Sequence, residues 1–179
     1  MNGISYPVHF LDFEASGLHG VPIEIGVATL FDGGKIETWS RLIRPAPDWI
    51  EDDDLWDPMA VMIHGISREQ LLDEGEDPRR VMTQLKERVG VAAFFYSDAP
   101  QYESAWLGEL LSITDHHEKT RYRVAHYFEA LRVRFGTPTR AFYLADTELE
   151  AIHKPHRAGA DAEILARVVG KLLIGGVTG

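Results

Sequence analysis

Residues 7–14 read PVHFLDFE, and this stretch predicts a β-strand that carries two acids near its end. Residues two apart in a strand point to the same face, so Asp12 and Glu14 share a face with Val8 and Phe10. Two neighbouring carboxylates repel each other, and burying them unpaired is costly. A bound divalent cation would remove that cost, whereas a solvated strand end would avoid it, and the pair alone does not decide between these.

Outward from this strand, the pattern predicts an α/β domain with a mixed sheet. Residues 22–31 and 36–43 are predicted strands, and the Asp-Gly-Gly-Lys turn between them predicts a hairpin, so the sheet starts with three antiparallel strands. Residues 48–57 are acidic and aromatic and are predicted as a solvated loop. Next come a short predicted helix from Ser67 to residue 72 and a helix over 78–89, which Asp77 caps and Gly90 ends. A buried strand is predicted over 91–96, followed by a helix with Tyr102 and Trp106 on its apolar face. Residues 119–150 predict a strand or helix and then a helix, and residues 164–173 predict a terminal amphipathic helix.

The length and composition predict one domain over residues 1–179. The chain has no cysteine, which excludes disulfides, thiolate metal sites and a cysteine nucleophile. The first residues lack the basic start and apolar run of a signal peptide, and no apolar stretch approaches the roughly 20 residues of a membrane span, so we expect a cytoplasmic protein without a membrane partner.

The formal net charge of −10 argues against broad non-specific binding to duplex nucleic acid. The charge is uneven, because residues 119–140 carry several cations against Glu129 alone. Either a solvated face or a phosphate-facing patch would explain this basic segment. Its cations are Lys119, Arg121, Arg123, Arg132, Arg134 and Arg140.

Two further segments place an acid on an apolar helix face. Asp161 stands three residues before Ile164, at the start of the terminal helix, and Glu103 stands three residues before Trp106. A carboxylate at a helix start is also a common capping group. Asp98, directly after the predicted strand 91–96, is a second candidate from the same region as Glu103.

His156 lies five residues before Asp161, and the neighbouring Pro155 and Gly159 predict that it sits in the loop leading into the terminal helix. A histidine in such a loop can face a site formed by acids behind it. Three separate segments therefore each bring an acid onto an otherwise apolar face, and a shared metal site explains all three.

The motifs resemble those of the DEDDh 3′–5′ exonucleases, relatives of polymerase proofreading subunits, ribonuclease T and oligoribonuclease. Residues 11–18 (LDFEASGL) resemble the first motif, and residues 156–162 (HRAGADA) resemble the third, a His-x4-Asp element. Residues 63–67 (IHGIS) resemble the His-Gly-Ile segment, and residues 97–103 (SDAPQYE) stand in the place of the second motif. That motif normally supplies Asp where this chain has Glu103, so a catalytically impaired nucleic-acid-binding relative is an alternative.

The resemblance implies a ribonuclease H-like, mixed five-stranded sheet flanked by helices. It also implies two Mg²⁺ or Mn²⁺ ions, one held by Asp12, Glu14 and Asp161 and the second by Asp12 and, through water, Glu103, with Asp98 as the alternative. His156 would act as the general base that deprotonates the attacking water, because histidine titrates near neutral pH.

As substrate, the resemblance implies the 3′ end of single-stranded DNA or RNA, or a short oligonucleotide, with release of nucleoside 5′-monophosphates. The backbone of Ala15, Ser16, Gly17 and Leu18 would lie against the terminal nucleotide, with Leu18 as an apolar wedge between bases. His64 is a secondary substrate contact. Relatives occur as dimers, so a homodimer is compatible with the resemblance, and a phosphodiesterase acting on small nucleotides is a further alternative.

Overall fold

The computed structural model describes residues 4–114 and 121–175, and its central feature is a five-stranded mixed sheet in the order β3-β2-β1-β4-β5. Strands β1 to β3 are antiparallel, and β4 runs parallel to both β1 and β5. The predicted mixed sheet with an antiparallel start is therefore confirmed. The strands are β1 Val8–Ala15, β2 Pro22–Leu30, β3 Ile36–Leu42, β4 Ala92–Ser97 and β5 Arg121–His126.

The β2–β3 hairpin forms at the predicted turn. Gly33 and Gly34 have φ angles of 84° and 91°, a region that side-chain-bearing residues rarely adopt, so glycine is needed at both positions. The Phe31 N–H donates to the Lys35 carbonyl at 2.8 Å and closes the turn. The three predicted strands match the observed bounds to within one residue.

Helix starts follow the capping residues that the sequence indicates. The Ser67 hydroxyl accepts a hydrogen bond from the Gln70 N–H at 3.1 Å, and the Asp77 carboxylate accepts one from the Arg79 N–H at 2.9 Å. The helices are α1 Pro47–Glu51, α2 Pro58–His64, α3 Arg68–Glu74, α4 Pro78–Val89, α5 Pro100–Ile113, α6 Phe128–Phe135, α7 Thr139–Ala151 and α8 Ala158–Gly175, with a 3₁₀ turn at Asp53–Leu55.

The prediction of a loop over residues 48–57 is wrong, because α1 and the 3₁₀ turn lie there. Trp49 is buried, and the Trp56 indole N–H donates to the Trp49 carbonyl at 2.8 Å. Tertiary packing of these two aromatic side chains therefore stabilises the segment, which is too short to show a helical periodicity in the sequence. Within 119–150 the described residues form β5, α6 and α7, one helix more than predicted.

The strand over residues 91–96 exists as β4, but it is less buried than predicted. Phe95 is fully buried, whereas Phe94 is 43% exposed. Phe94 faces an open groove shared with Leu107 and Gly108 of α5, so α5 covers this side of the sheet incompletely.

The two faces of the sheet pack against different helices. Helix α8 covers one face, where Ala162, Leu165 and Val169 pack with Phe10 and Leu30. Helices α4 and α5 cover the other face in a second apolar cluster. Asp12 and Glu14 have the same parity as Phe10, so they lie on the α8 side of β1. No helix in the described ranges has the length and hydropathy needed to cross a membrane.

Candidate active site

The acidic end of β1 extends beyond its neighbour β4. Strand β1 pairs with β2 along its whole length, but it pairs with β4 only at His9 and Phe10. Asp12 and Glu14 follow that short ladder, and both are partly buried. The strand therefore presents both carboxylates where β4 ends and α5 begins.

Three side chains from two segments meet at this point. Glu14, His156 and Asp161 each offer a ligand atom, and these atoms all lie within 4.8 Å of one another. Asp161 is in the first turn of α8 and only 5% exposed, and its Oδ1 atom is buried with no hydrogen-bond partner among the described residues. A buried carboxylate oxygen normally has a partner, so this arrangement fits a bound cation.

Asp12 and Glu103 lie outside that tight group but act on it electrostatically. Glu103, in the first turn of α5, is 3% exposed, and its Oε2 atom is also buried without a described partner. Burial raises the pKa of Asp12 well above its ordinary value, and the charges of Glu14 and Asp161 raise it further. Burial and the charge of Asp12 likewise raise the pKa of Glu103.

Glu14 and Asp161 carry the same electrostatic signature. Burial, together with the charges of Asp161 and Glu24, raises the pKa of Glu14 from 4.5 to about 7. Burial also raises the pKa of Asp161. Raised pKa values in neighbouring buried acids mark a cluster whose repulsion a cation would relieve.

His156 lies in the loop before α8, as predicted, with a backbone φ of 53°. This left-handed conformation is uncommon for a residue with a side chain and costs on the order of 1 kcal/mol. Surrounding contacts must therefore hold it in place.

Those contacts come from Glu24 on β2, a residue that was not predicted to belong to the site. The buried carboxylate of Glu24 accepts hydrogen bonds from the Arg157 side chain and from the Ala158 N–H. Gly26 lies so close to the same segment that a Cβ there would be 2.1 Å from the Ala158 carbonyl carbon. An acid within the apolar strand PIEIGVATLF needs a buried partner, and that was the available signal.

Asp98 and Glu103, the two candidates for the second-motif position, have different environments. The Asp98 carboxylate forms an ion pair with the Lys154 ammonium, and both side chains are about one-third exposed. Glu103 is deeply buried and has the unpaired oxygen. This contrast favours Glu103 over Asp98 as a ligand. Lys154 was not singled out from the sequence, since a lone lysine in a loop gives no signal.

The predicted substrate-binding loop after β1 is largely buried. The Ser16 hydroxyl donates to the Leu55 carbonyl at 2.6 Å and accepts from the Val21 N–H at 2.9 Å, so its side chain holds the loop together. Ala15 and Gly17 are buried, with Gly17 packed against Asp57. Leu18, by contrast, is 58% exposed.

Leu18 lines a cavity of about 580 Å³ that also contains Tyr102 and Trp106. The two aromatic rings stack on each other, with centroids 5.8 Å apart. Tyr102 directly precedes Glu103 on α5. The lining of the cavity, which includes a leucine and two aromatic side chains, suits a planar, partly apolar group.

His64, the secondary substrate candidate, is buried at the end of α2. Its Nδ1 atom accepts a hydrogen bond from the Ile66 N–H at 3.0 Å, which leaves the proton on Nε2. The Nε2 atom has no hydrogen-bond partner in the described part of the chain. One ring nitrogen is thus structural, and the other remains able to donate.

The cations of the basic segment have different environments, which fit either a solvated face or a phosphate-facing patch. Arg132 pairs with Glu129 at 2.8 Å, and Arg134 donates to the Leu173 carbonyl. Arg121 and Arg123 are exposed along β5. Lys119 lies outside the described residues.

The fold is shared with solved exonucleases that are 15–19% identical to this chain, so the predicted fold class is confirmed. Escherichia coli exonuclease I, solved with a dA16 oligonucleotide, superposes with a TM-score of 0.63 at 16% identity over 93% of this chain and 41% of its own. Exonuclease I from Methylocaldum szegediense gives a TM-score of 0.63 at 18% identity and covers 93% of this chain and 41% of its own.

Exonuclease X, solved with 5′-overhanging duplex DNA, gives a TM-score of 0.56 at 19% identity and covers 96% of this chain and 94% of its own. The chain thus spans about two fifths of the exonuclease I structures but almost all of exonuclease X. No family model matches the chain. No curated protein matches it either.

Proposed function

We propose that this chain is a metal-dependent 3′–5′ exonuclease that hydrolyses the terminal phosphodiester bond of single-stranded DNA or RNA and releases nucleoside 5′-monophosphates. The observation that carries the proposal is the convergence of Glu14, His156 and Asp161, with ligand atoms within 4.8 Å of one another. The shared fold with exonucleases I and X supports the same class of reaction.

Asp12, Glu14, Glu103 and Asp161 would hold the metal, and their oxygen ligands suit Mg²⁺ or Mn²⁺. The unpaired buried oxygens of Glu103 and Asp161 are the atoms that such ions would satisfy. Two divalent ions bound there would supply Lewis-acid stabilisation of the attacking and leaving oxygens.

His156 would accept the proton of the attacking water. Its ring nitrogen lies in the same 4.8 Å group as the carboxylate oxygens of Glu14 and Asp161, within reach of the proposed metal site. The contacts of Arg157 and Ala158 with Glu24 hold the segment that carries this imidazole.

The terminal nucleotide would occupy the cavity between Leu18 and the stacked pair Tyr102 and Trp106. Bases stack readily on aromatic side chains, and an unstacked single-stranded end enters such a cavity at lower cost than a paired end. The structural neighbours solved with oligonucleotides fit this substrate class. A cytoplasmic location and a homodimer remain predictions.

The test uses 5′-end-labelled DNA and RNA oligonucleotides of several lengths, with Mg²⁺ or Mn²⁺ and with EDTA. We expect a ladder shortened from the 3′ end only when metal is present. Asp12→Ala and His156→Ala should each lower the rate at least about a hundredfold with the circular dichroism spectrum unchanged. The exposed His153 provides the matched control, His153→Ala.

Full activity in Asp12→Ala would refute the proposal. Oligonucleotide binding without metal-dependent mononucleotide release would indicate the impaired binding relative instead. Activity confined to dinucleotides or other small nucleotides would indicate the small-molecule phosphodiesterase.

A further inference from the structure

A lysine that the proposed mechanism does not use lies beside the acidic cluster. Lys154 precedes His156 by two residues, in the segment between α7 and α8. Its ammonium forms an ion pair with the Asp98 carboxylate, and about a third of each side chain is exposed. Asp98 directly follows β4, so the pair links the segment before α8 to the connection between β4 and α5.

The positive charge of Lys154 acts on every acid of the cluster. It lowers the pKa values that burial and mutual repulsion raise in the four carboxyl groups, which are those of Asp12, Glu14, Glu103 and Asp161. The interaction between two charges weakens with distance, so the ammonium lies close to all four carboxylates. A phosphate that reaches these acids therefore also comes close to Lys154.

A second cation, Arg157, also acts on Glu14, but its guanidinium is directed at Glu24. Its Nε and Nη2 atoms both donate to that buried carboxylate. The ammonium of Lys154 has three N–H donors, and the Oδ2 atom of Asp98 accepts one of them. Lys154 therefore keeps donors for a further acceptor, and its partial exposure lets that acceptor enter from solvent.

We propose that Lys154 is a substrate-binding residue whose ammonium donates to a non-bridging oxygen of the phosphate at the 3′-terminal linkage. This contact rests on the proposed nuclease function, which brings that phosphate to the acidic cluster. A phosphodiester carries a negative charge that the carboxylates repel, and a cation held beside them offsets part of the repulsion. Asp98 is then a positioning residue, because its carboxylate holds the ammonium in place.

The first test compares two fluorescent single-stranded oligonucleotides in EDTA by anisotropy. They differ only at the 3′-terminal linkage, which is a phosphodiester in one and an uncharged methylphosphonate in the other. We expect Lys154→Gln to weaken binding of the phosphodiester at least about fivefold and to change binding of the methylphosphonate less than about twofold. Lys154→Arg should keep the preference for the phosphodiester, because it keeps the charge. Lys171→Gln, which breaks an exposed ion pair with Glu148, is the matched control.

Calorimetric titration with MnCl₂, without nucleic acid, gives a readout that moves in the opposite direction. The ammonium repels any cation bound by the same acids, so Lys154→Gln should bind Mn²⁺ about two- to tenfold more tightly than the unaltered chain. Lys154→Arg and Lys171→Gln should bind Mn²⁺ as the unaltered chain does. A misfolded variant would lose affinity for both ligands, so tighter Mn²⁺ binding also shows that Lys154→Gln is folded.

An equal loss of affinity for the two oligonucleotides in Lys154→Gln would overturn the contact, as would unchanged affinity for both. Weaker Mn²⁺ binding in folded Lys154→Gln would contradict the position of the ammonium beside the acids. If the unaltered chain cleaves oligonucleotides but binds them too weakly to measure in EDTA, an unchanged kcat/KM in Lys154→Gln would overturn the contact.

The contact and the proposed function fail separately. A Lys154-dependent preference for the phosphodiester in a chain without metal-dependent cleavage would refute the exonuclease and keep the contact. Metal-dependent cleavage with oligonucleotide binding indifferent to Lys154 would refute the contact alone. An unaltered chain that neither binds nor cleaves either oligonucleotide would refute both.

Discussion

The carboxylate of Glu24 holds Arg157 through two hydrogen bonds, at 2.9 Å from Nε and 3.0 Å from Nη2, and accepts a third from the Ala158 N–H at 3.1 Å. Glu24 is 3% exposed, and these partners satisfy its buried carboxylate. Because Arg157 directly follows His156, the contact joins β2 to the segment that carries the proposed base. Glu24 is thus a positioning residue for His156.

Replacing Glu24 with Gln removes the charge but keeps the shape. We expect Glu24→Gln to lower kcat by roughly ten- to a hundredfold with a smaller change in KM, because His156 loses its fixed position. Steady-state kinetics and the folded fraction by circular dichroism check this. Glu163→Gln, which breaks an exposed pair with Arg167 on α8, is the matched control. A similar rate loss in both variants would contradict the positioning role.

The close approach of Gly26 to Ala158 predicts a stability effect. In Gly26→Ala the new methyl group would lie 2.1 Å from backbone, so α8 must shift, and we expect a loss of about 1–3 kcal/mol or more in the free energy of unfolding. Gly108 on α5 has open space around it, so Gly108→Ala should gain about 0.5–1 kcal/mol. Urea denaturation measures both values, and equal stability of the two variants would show that α8 is not tightly seated.

Asp98 and Glu103 are distinguished by a pair of neutral substitutions. Glu103→Gln should lower metal affinity and nuclease rate strongly, because it removes a buried charge with an unpaired oxygen. Asp98→Asn should have a milder effect, since Asp98 is engaged by Lys154. Activity assays and calorimetric titration with Mn²⁺ report both quantities. A harmless Glu103→Gln beside an inactive Asp98→Asn would show that Asp98 fills the second-motif position.

The raised pKa values predict how the metal-free protein responds to pH. Glu14 has a pKa of about 7 in the folded state against 4.5 ordinarily, so the folded chain binds more protons than the unfolded chain between these values. Its contribution to stability is present below pH 4.5 and is lost as the pH rises towards 7. The pKa values of Asp12, Glu103 and Asp161 are shifted in the same direction.

In EDTA, we therefore expect the Tm to fall between pH 5 and pH 7.5, and Mg²⁺ or Mn²⁺ to restore it at the higher pH. The variant Glu14→Gln has no titrating group at this position, so its Tm should fall less over that range. Differential scanning fluorimetry measures all of these curves. If the Tm in EDTA instead rises with pH, and rises more steeply in the unaltered chain than in Glu14→Gln, the raised pKa of Glu14 in the acidic cluster would be contradicted.

Local signals explain what could be predicted from the sequence. The β2–β3 hairpin, the Ser67 and Asp77 caps and the end of α4 at Gly90 depend on neighbours a few residues away, and all were predicted. The loop position of His156 was also predicted from Pro155 and Gly159. Its approach to Glu14 was expected because three acids on apolar faces needed a common explanation.

Long-range pairs explain what could not be predicted. Glu24 and Arg157 are 133 residues apart, and Asp98 and Lys154 are 56 apart, so no local pattern joins them. Helix α1 was missed because the burial of Trp49, rather than periodicity, stabilises it. The exposure of Phe94 depends on how far α5 covers the sheet, which the composition of β4 does not encode.

Strand β2 supplies none of the four proposed metal-binding carboxylates, yet Glu24 and Gly26 determine where His156 and Asp161 sit. A glutamate and a glycine two positions apart on the second strand are therefore a useful additional criterion for recognising distant homologues of this chain, beside the acidic motifs. An enzyme designer could vary Leu18 or Tyr102 to change the substrate, but should leave that Glu-Ile-Gly tripeptide untouched.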